Sequence, residues 1–340
     1  MIILRYLLFP FSVLYGWITS IRNYLFDIHF FKSKSFDIPT IVVGNLSVGG
    51  TGKTPQIEYL IRLLSQKYKI ATLSRGYKRK SKGFILANST VTSQLIGDEP
   101  YQMYQKFPNI QVAVDADRCN GIKQLLNQDT KPEVILLDDA YQHRKVKAGF
   151  YILLSSFDDL YCNDYMLPTG NLRESRKGAT RADMIIITKC PKNLPEIAQQ
   201  EIKNKIGLNC PIYFSYIGYN DQVVNFESTK KISEISNFNK LLIAGIAKPK
   251  PFFDFLANAN DEQMVFAEAH FLTEKERNII NKKSENKDII ITTEKDFVRL
   301  NTSLKNNKLY YLPIESFFIK NKENFDQNIL DYVGKSTRNR

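Results

Sequence analysis

The stretch that most constrains this chain is Ile41 to Pro55, IVVGNLSVGGTGKTP. Ile41, Val42 and Val43 form a short β-branched apolar run, which predicts a buried strand. Gly44, Gly49, Gly50 and Gly52 follow, and the run ends in Lys53 and Thr54. Beyond Pro55 the spacing of Ile57, Leu60, Ile61 and Leu64 predicts a helix with one apolar face. Strand, glycine-rich loop, Gly-Lys-Thr and helix is the layout of a phosphate-binding loop. Glycines let successive N–H groups turn toward one centre, and the helix N-terminus adds a partial positive charge. The segment Ser47-Val48-Gly49-Gly50-Thr51-Gly52-Lys53-Thr54 is the expected nucleotide-binding set. Lys53 would reach the β/γ-phosphates and the Thr54 hydroxyl would bind Mg²⁺. Ser47 stands where the strict pattern has glycine.

Two further features support a nucleotide site. Glu133 to Leu137 (EVILL) reads as a buried strand ending in Asp138-Asp139, which after a phosphate-binding loop is the arrangement that holds the metal. Leu167 to Ser175 (LPTGNLRES) is a Pro/Gly loop that delivers Arg173, a candidate for neutralising phosphate charge. Asp183 to Lys189 is another apolar strand. Guanine readers usually place Asp two residues after such a Lys; here that residue is Pro191, so the nucleotide expected is ATP.

The 340 residues are long enough for two domains. Net charge is +12, which suits an anionic partner without choosing among nucleic acid, phosphorylated metabolites and an acidic membrane surface. No aromatic-basic nucleic-acid motif accompanies the charge, and no nucleic-acid partner is expected. Cys119, Cys162, Cys190 and Cys210 show no close metal-ligand spacing and read as free thiols of a reducing compartment. Met1 to Ile28 is apolar and aromatic, interrupted by Arg5, Pro10 and Arg22. Its uninterrupted part is shorter than the ~20 residues a bilayer span needs. It reads as a helix lying on a membrane surface or packed on the domain.

Gly97-Asp98-Glu99-Pro100 resembles an acidic helix N-terminus. Past an aromatic stretch, Tyr213-Phe214-Ser215-Tyr216, a second α/β unit is expected. Its strands are Lys240 to Ala244, Met264 to Ala267, Asp288 to Thr292 and Leu309 to Leu312. Thr273 and Glu276 form a capping box at the start of one of its helices.

Taken together, GNLSVGGTGKTP, LSRGYKR, GDEP, DADRCNG, DDAYQHRK, LPTGNLRES, ITKC, AGIAKP, AEAHF and TTEKDFVRL, in this order from Val43 to Leu300, resemble the tetraacyldisaccharide 4'-kinase family. Ser47 is ordinary in that family. The resemblance implies an α/β fold: a P-loop NTPase-like α/β/α core and a smaller C-terminal α/β/α domain joined by a short β-stranded hinge. The expected division is 1–28 as a membrane-surface helix, 29–212 as the core and 213–340 as the smaller domain. The implied reaction moves the ATP γ-phosphate to the 4'-hydroxyl of tetraacyl glucosamine disaccharide 1-phosphate, a lipid A precursor. The enzyme would act at the cytoplasmic face of the inner membrane, with Mg²⁺ and with no obligate protein partner. By motif match, Asp98 and His270 would form the catalytic base pair. Thr54, Glu99, Asp138 and Asp139 would serve the metal, and Arg173 would lie near the phosphates. The family often shows Asp-His-His where this chain has Glu268-Ala269-His270. The alternative of another class is a nucleotide switch or metallochaperone-type NTPase acting on a protein partner.

Overall fold

The computed structural model describes residues 5, 7–225, 227–246, 248–267, 270, 272–304 and 308–338. Parts of three motifs lie outside the described residues: the first four residues of the N-terminal segment, Ala247, and Glu268, Ala269 and Phe271 around His270.

In chain order, α1 (Phe9–Asp27) precedes β1 (Thr40–Asn45), α2 (Lys53–Leu64), β2 (Ile70–Ser74) and β3 (Ile85–Leu86). Then come α3 (Ser93–Ile96), α4 (Asp98–Lys106), β4 (Gln111–Val114), α5 (Arg118–Leu126), β5 (Val134–Asp138) and β6 (Phe150–Ser156). After these run β7 (Met184–Thr188), α6 (Glu196–Ile206), β8 (Ile212–Tyr219), β9 (Gln222–Val224) and β10 (Thr229–Lys231). The rest comprises β11 (Lys240–Ala244), α7 (Lys250–Leu256), β12 (Glu262–Val265), α8 (Glu274–Ser284), β13 (Ile289–Thr293), α9 (Glu294–Leu304), β14 (Leu309–Leu312), β15 (Ile314–Phe318) and α10 (Lys322–Arg338).

Two sheets organise these elements. The larger has nine strands in the order β15-β8-β7-β6-β1-β5-β2-β4-β3. Its seven inner strands are parallel, and β15 and β3 are antiparallel edges. Parallel strands are covered on both faces, so they are continuously apolar rather than alternating, and β1, β5 and β7 are buried at every residue. On one face Ile41, Val43 and Leu136 pack against Ile57, Leu60 and Ile61 of α2 and against Phe325, Ile329 and Val333 of α10. On the other, Val42, Leu137 and Leu153 pack against Ile122 and Leu125 of α5 and Ile202 of α6. The result is an α/β/α sandwich. The smaller sheet, β10-β9-β14-β13-β11-β12, is built the same way. Its faces carry Phe252, Phe253 and Leu256 of α7 on one side, and Ile280 of α8 with Phe297 and Leu300 of α9 on the other.

The boundary expected between 212 and 213 does not match the division between sheets. β8 belongs to the larger sheet, and β15 returns to it, pairing antiparallel with β8 from Ile314↔Tyr219 to Phe318↔Ser215. The chain leaves the larger sheet through β8 and β9 and comes back through β14 and β15. The four strands form a two-stranded connection, closed by Asn220 N–H donating to the Pro313 carbonyl (3.0 Å). The physical reason is apolar burial. Phe325 is fully buried among Tyr59, Tyr213 and Phe318, with ring centroids 5.6, 5.4 and 4.4 Å away. Residues 314–338 therefore support the phosphate-binding half. Phe325→Ala should destabilise that half by about 3–5 kcal/mol, as buried Phe truncations do. Thermal unfolding followed with and without ATP would register the loss in the nucleotide-stabilised transition.

Candidate active site

β1 sits at the centre of the larger sheet, and its carboxyl end is where an open α/β sheet receives a ligand. The chain leaves it so tightly that a Cβ at Gly44 would lie 2.7 Å from the Tyr141 Cβ. Gly49 (φ +111°) and Gly52 (φ +81°) take left-handed conformations that side chains disfavour. The loop is laced to its surroundings. Val48 N–H donates to the Asn171 carbonyl (2.8 Å) and Arg173 N–H to the Leu46 carbonyl (2.7 Å). Asn45 Nδ2 donates to Thr51 Oγ1 (2.8 Å), and Thr188 Oγ1 to the Thr51 carbonyl (2.8 Å). Lys189 Nζ also donates to the Gly50 carbonyl. Lys53 and Thr54 then open α2.

The acids and cations expected from sequence meet here. β1 and β5 pair with Val43 opposite Asp138, which puts Asp138 and Asp139 beside the loop. Arg173 holds Asp139 with two bonds, NH2 to Oδ1 at 2.8 Å and NH1 to Oδ2 at 3.2 Å. Its NH2 also donates to Asn45 Oδ1. Lys53 Nζ lies 3.6 Å from Asp139 Oδ1. Burial raises the Asp139 pKa, but the Arg173 hydrogen bonds and the Lys53 charge outweigh it and leave the carboxyl below its usual range. Asp138 is different. It is 3% exposed, its Oδ1 is buried without a hydrogen-bond partner, and burial with the charges of Glu99 and Asp139 raises its pKa. A carboxyl oxygen left bare in this way is a site that a hard divalent cation can take. The donor set of Asp138, Glu99 and the Thr54 hydroxyl is all oxygen and fits Mg²⁺.

Asp98 and Glu99 begin α4. Gly97 (φ +95°) turns the chain under the Arg75–Arg79 loop, where a Cβ would come 3.1 Å from the Tyr77 carbonyl. Burial raises the Asp98 pKa against the opposing charges of Arg299, Lys295 and Lys78. The first two come from α9, and Lys295 Nζ lies 4.0 Å from Glu99 Oε1. His270 is placed otherwise than the Asp98–His270 pairing expects. Its Nε2 is 2.8 Å from Glu276 Oε2, and its ring stacks on Phe266 with centroids 5.5 Å apart. It lines a cavity of about 20 Å³ with Gly245, Asp296 and Arg299, so it shares Arg299 with Asp98 rather than bonding it.

Asn45, Thr188 and the α9 cations join the expected set, and Thr51, already expected in the loop, is held by the first two. Their motifs, GNLSVGGTGKTP, ITKC and TTEKDFVRL, do not state these contacts, several of which join residues far apart in the chain. Arg118, of the DADRCNG motif, is buried at 3%, and its NH2 donates to the Asp138 carbonyl (3.4 Å). Asp117, Cys119 and His143 bring donor atoms within 4.8 Å of one another. The Asp117 carboxylate already caps α5, and Arg118 and Lys145 face His143, so this cluster is poorly matched to a cation. Burial, with those cations, lowers the His143 pKa to about 4. Between its ordinary value of ~6.5 and 4 the unfolded chain binds the extra proton, so stability falls as pH drops through that window. His143→Gln should flatten this limb of the stability–pH profile between about pH 6.5 and 4; an unaltered limb in denaturant titrations would contradict it.

Comparison with known proteins agrees with this geometry. The family model described as tetraacyldisaccharide-1-P 4'-kinase matches residues 4–334. Tetraacyldisaccharide 4'-kinase of Flavobacterium johnsoniae is 61% identical over 97% of this chain and 98% of its own length. That of Bacteroides thetaiotaomicron is 43% identical over 98% and 94%. The crystal structure of the "apo" form of LpxK from Aquifex aeolicus in complex with ATP superposes with a TM-score of 0.78 at 30% identity, covering 97% of this chain and 99% of that one. With the loop, the acid pair and the arginine clamp in place, the chain belongs to the tetraacyldisaccharide-1-P 4'-kinase family.

Proposed function

We propose that this chain phosphorylates the 4'-hydroxyl of a tetraacyl glucosamine disaccharide 1-phosphate with ATP, at the cytoplasmic surface of the inner membrane. The observation that carries the reading is Asp138, a buried carboxylate with an unpartnered oxygen, set beside the Lys53–Asp139–Arg173 cluster in a chain of this family. A switch or metallochaperone-type NTPase is not favoured by a family match of this length.

Phosphoryl transfer asks for positioning and charge neutralisation more than for covalent help. The 46–52 loop and Lys53 hold the phosphates, and Arg173, anchored on Asp139, adds a cation beside them. Thr54, Asp138 and Glu99 would hold Mg²⁺, which when bound neutralises charge on the phosphates. Asp98 takes the 4'-hydroxyl proton as that oxygen bonds to the γ-phosphorus and the bond to the ADP oxygen breaks. Its raised pKa makes it a better proton acceptor than an exposed carboxylate. His270 assists Asp98 once it exchanges Glu276 for that partner. The smaller sheet, with α9, acts as the domain that brings it.

The N-terminal helix supports the membrane placement. Its polar face docks beside the site. Ser12 Oγ donates to Thr169 Oγ1 (2.7 Å), Tyr15 OH to the Arg173 carbonyl (2.9 Å) and Asn23 Nδ2 to Glu174 Oε2 (2.9 Å). Its apolar face points outward, with Phe11, Leu14, Trp17, Ile18 and Ile21 all exposed, Trp17 by 68%. No described helix is long and apolar enough to cross a membrane, and this one is suited to lie on it.

Purified protein with Mg-ATP and the acylated disaccharide 1-phosphate should yield the bisphosphorylated lipid. Asp98→Asn should cut turnover at least ~100-fold, the scale of losing a general base. A protein that hydrolyses ATP without making that product would refute the reading. A Trp17→Glu/Ile21→Glu variant should float less with anionic vesicles while retaining the fold; unchanged flotation would refute the surface placement.

A further inference from the structure

One group of buried charges lies outside the site just described. Lys106 closes α4, and its Nζ is 2.6 Å from Glu58 Oε2 and 2.6 Å from Glu294 Oε1. Glu58 is 1% exposed and sits on α2, which opens with Lys53 and Thr54. It also accepts from Gln102 Nε2 (3.1 Å) and Arg62 NH2 (3.1 Å). Glu294 is 6% exposed and is the first residue of α9, the helix that sends Lys295 and Arg299 toward Glu99 and Asp98. A single ammonium therefore joins the helix of the phosphate-binding loop, the helix that begins with the two acids, and the helix of the smaller sheet that faces those acids.

We infer that the Glu58–Lys106–Glu294 triad sets the position of Asp98 and Glu99 relative to the phosphate-binding loop, which makes Lys106 and Glu294 positioning residues for phosphoryl transfer. The inference rests on the kinase reading above.

The geometry gives the lever. α4 runs from Asp98 to Lys106, about 12 Å at 1.5 Å per residue. A short helix fixed at its C-terminal end carries any tilt to its N-terminus, and phosphoryl transfer tolerates little misplacement of its base. The other end of the contact is equally fixed. Asp296 accepts from Gly245 N–H (2.7 Å), from Thr293 Oγ1 (2.6 Å) and from Arg299 NH2 (2.7 Å), so the first turn of α9 is bolted to β11 and β13. The Thr-Thr-Glu-Lys-Asp-Phe-Val-Arg segment thus divides its labour. Asp296 holds α9 in place, Glu294 reaches the far end of α4, and Lys295 and Arg299 reach its start. Arg62 adds a second cation on Glu58 and lies 3.8 Å from Glu315. A buried pair is a weak source of stability but a strong specifier of arrangement, because removing one member leaves an uncompensated charge.

The variants differ in what they leave behind. Glu294→Gln keeps the Lys106–Glu58 bond and frees only α9. Lys106→Met leaves two carboxylates facing each other without their shared cation. Lys106→Met/Glu294→Gln removes that repulsion again. With the full chain, Glu294→Gln should lower kcat about tenfold with the ATP KM within twofold of wild type and with unchanged unfolding temperature. Lys106→Met should lose more, and the double variant should recover part of that loss. Two results would overturn the inference: Glu294→Gln retaining wild-type kcat, or both single variants losing activity only in proportion to lost folded protein. Asp98→Asn separates the failure modes. If it keeps turnover while the triad variants lose it, the assignment of the base fails and the triad stands on another residue of α4.

Discussion

The structure depends on how negative charge is distributed at the carboxyl ends of β1 and β5. Two adjacent aspartates stand at the end of one strand and are treated in opposite ways. Asp139 turns out of the strand with φ +46° and is bound by Arg173 and Lys53. Asp138 stays in the strand, buried, with one oxygen bare. An ionised carboxylate without a partner is expensive to bury. Burial with the Glu99 and Asp139 charges raises the Asp138 pKa, while Lys53 and Arg118 lie near enough to oppose that rise. The strict geometry of the loop follows from the same demand. Gly44 must pass close under Tyr141, and Asn45 must serve both Thr51 and Arg173. The cluster acts as one unit, and a change at any member alters the charge felt by the others.

A second constraint comes from the helix that precedes this core. Most surface helices hide an apolar face and show a polar one. α1 does the reverse: its serine, tyrosine and asparagine bind the 169–174 segment while its aromatic and branched residues face outward. An apolar face of this size left in solvent is what supports the proposed placement at a lipid surface. It also ties the surface to the chemistry. The segment that α1 grips through Tyr15 and Asn23 is the one that presents Arg173 to Asp139.

The sequence made the strands legible because parallel strands buried on both faces are short, continuous β-branched runs. Lys240–Ala244 and Leu309–Leu312 fall where the runs predict. The capping box at Thr273 and Glu276 is also present, since its signal is local. β15 was missed because Ile314–Phe318 follows Pro313 directly and holds charged and polar residues that suit an edge strand. For the same reason α10 was assigned to the smaller unit by its place in the chain, although Phe325 and Ile329 complete the larger core. Residues named by local motifs are found together, as Lys53, Arg173 and the Asp138-Asp139 pair are. The site was not legible where a residue's role is set by another element. The chain around His270 does not say whether its ring meets Asp98 or Glu276, although the acid it bonds lies only six positions on.

That last point bears on how the two sheets share one site. The acids of α4 belong to the larger sheet, yet the charges that face them, Lys295 and Arg299, arrive on α9 from the smaller one. The burial that raises the pKa of Asp98 is opposed by cations of a different layer, so its basicity depends on how closely that layer approaches. A base tuned in this way is strongest when the opposing cations withdraw and most firmly ionised when they advance. The relative placement of α4 and α9 is then a chemical variable as well as a mechanical one. On the proposed assignment of Asp98 as the base, a link that holds α4 and α9 together at the end of α4 away from the acids would control the proton acceptor from outside the space that the acceptor lipid and the nucleotide need.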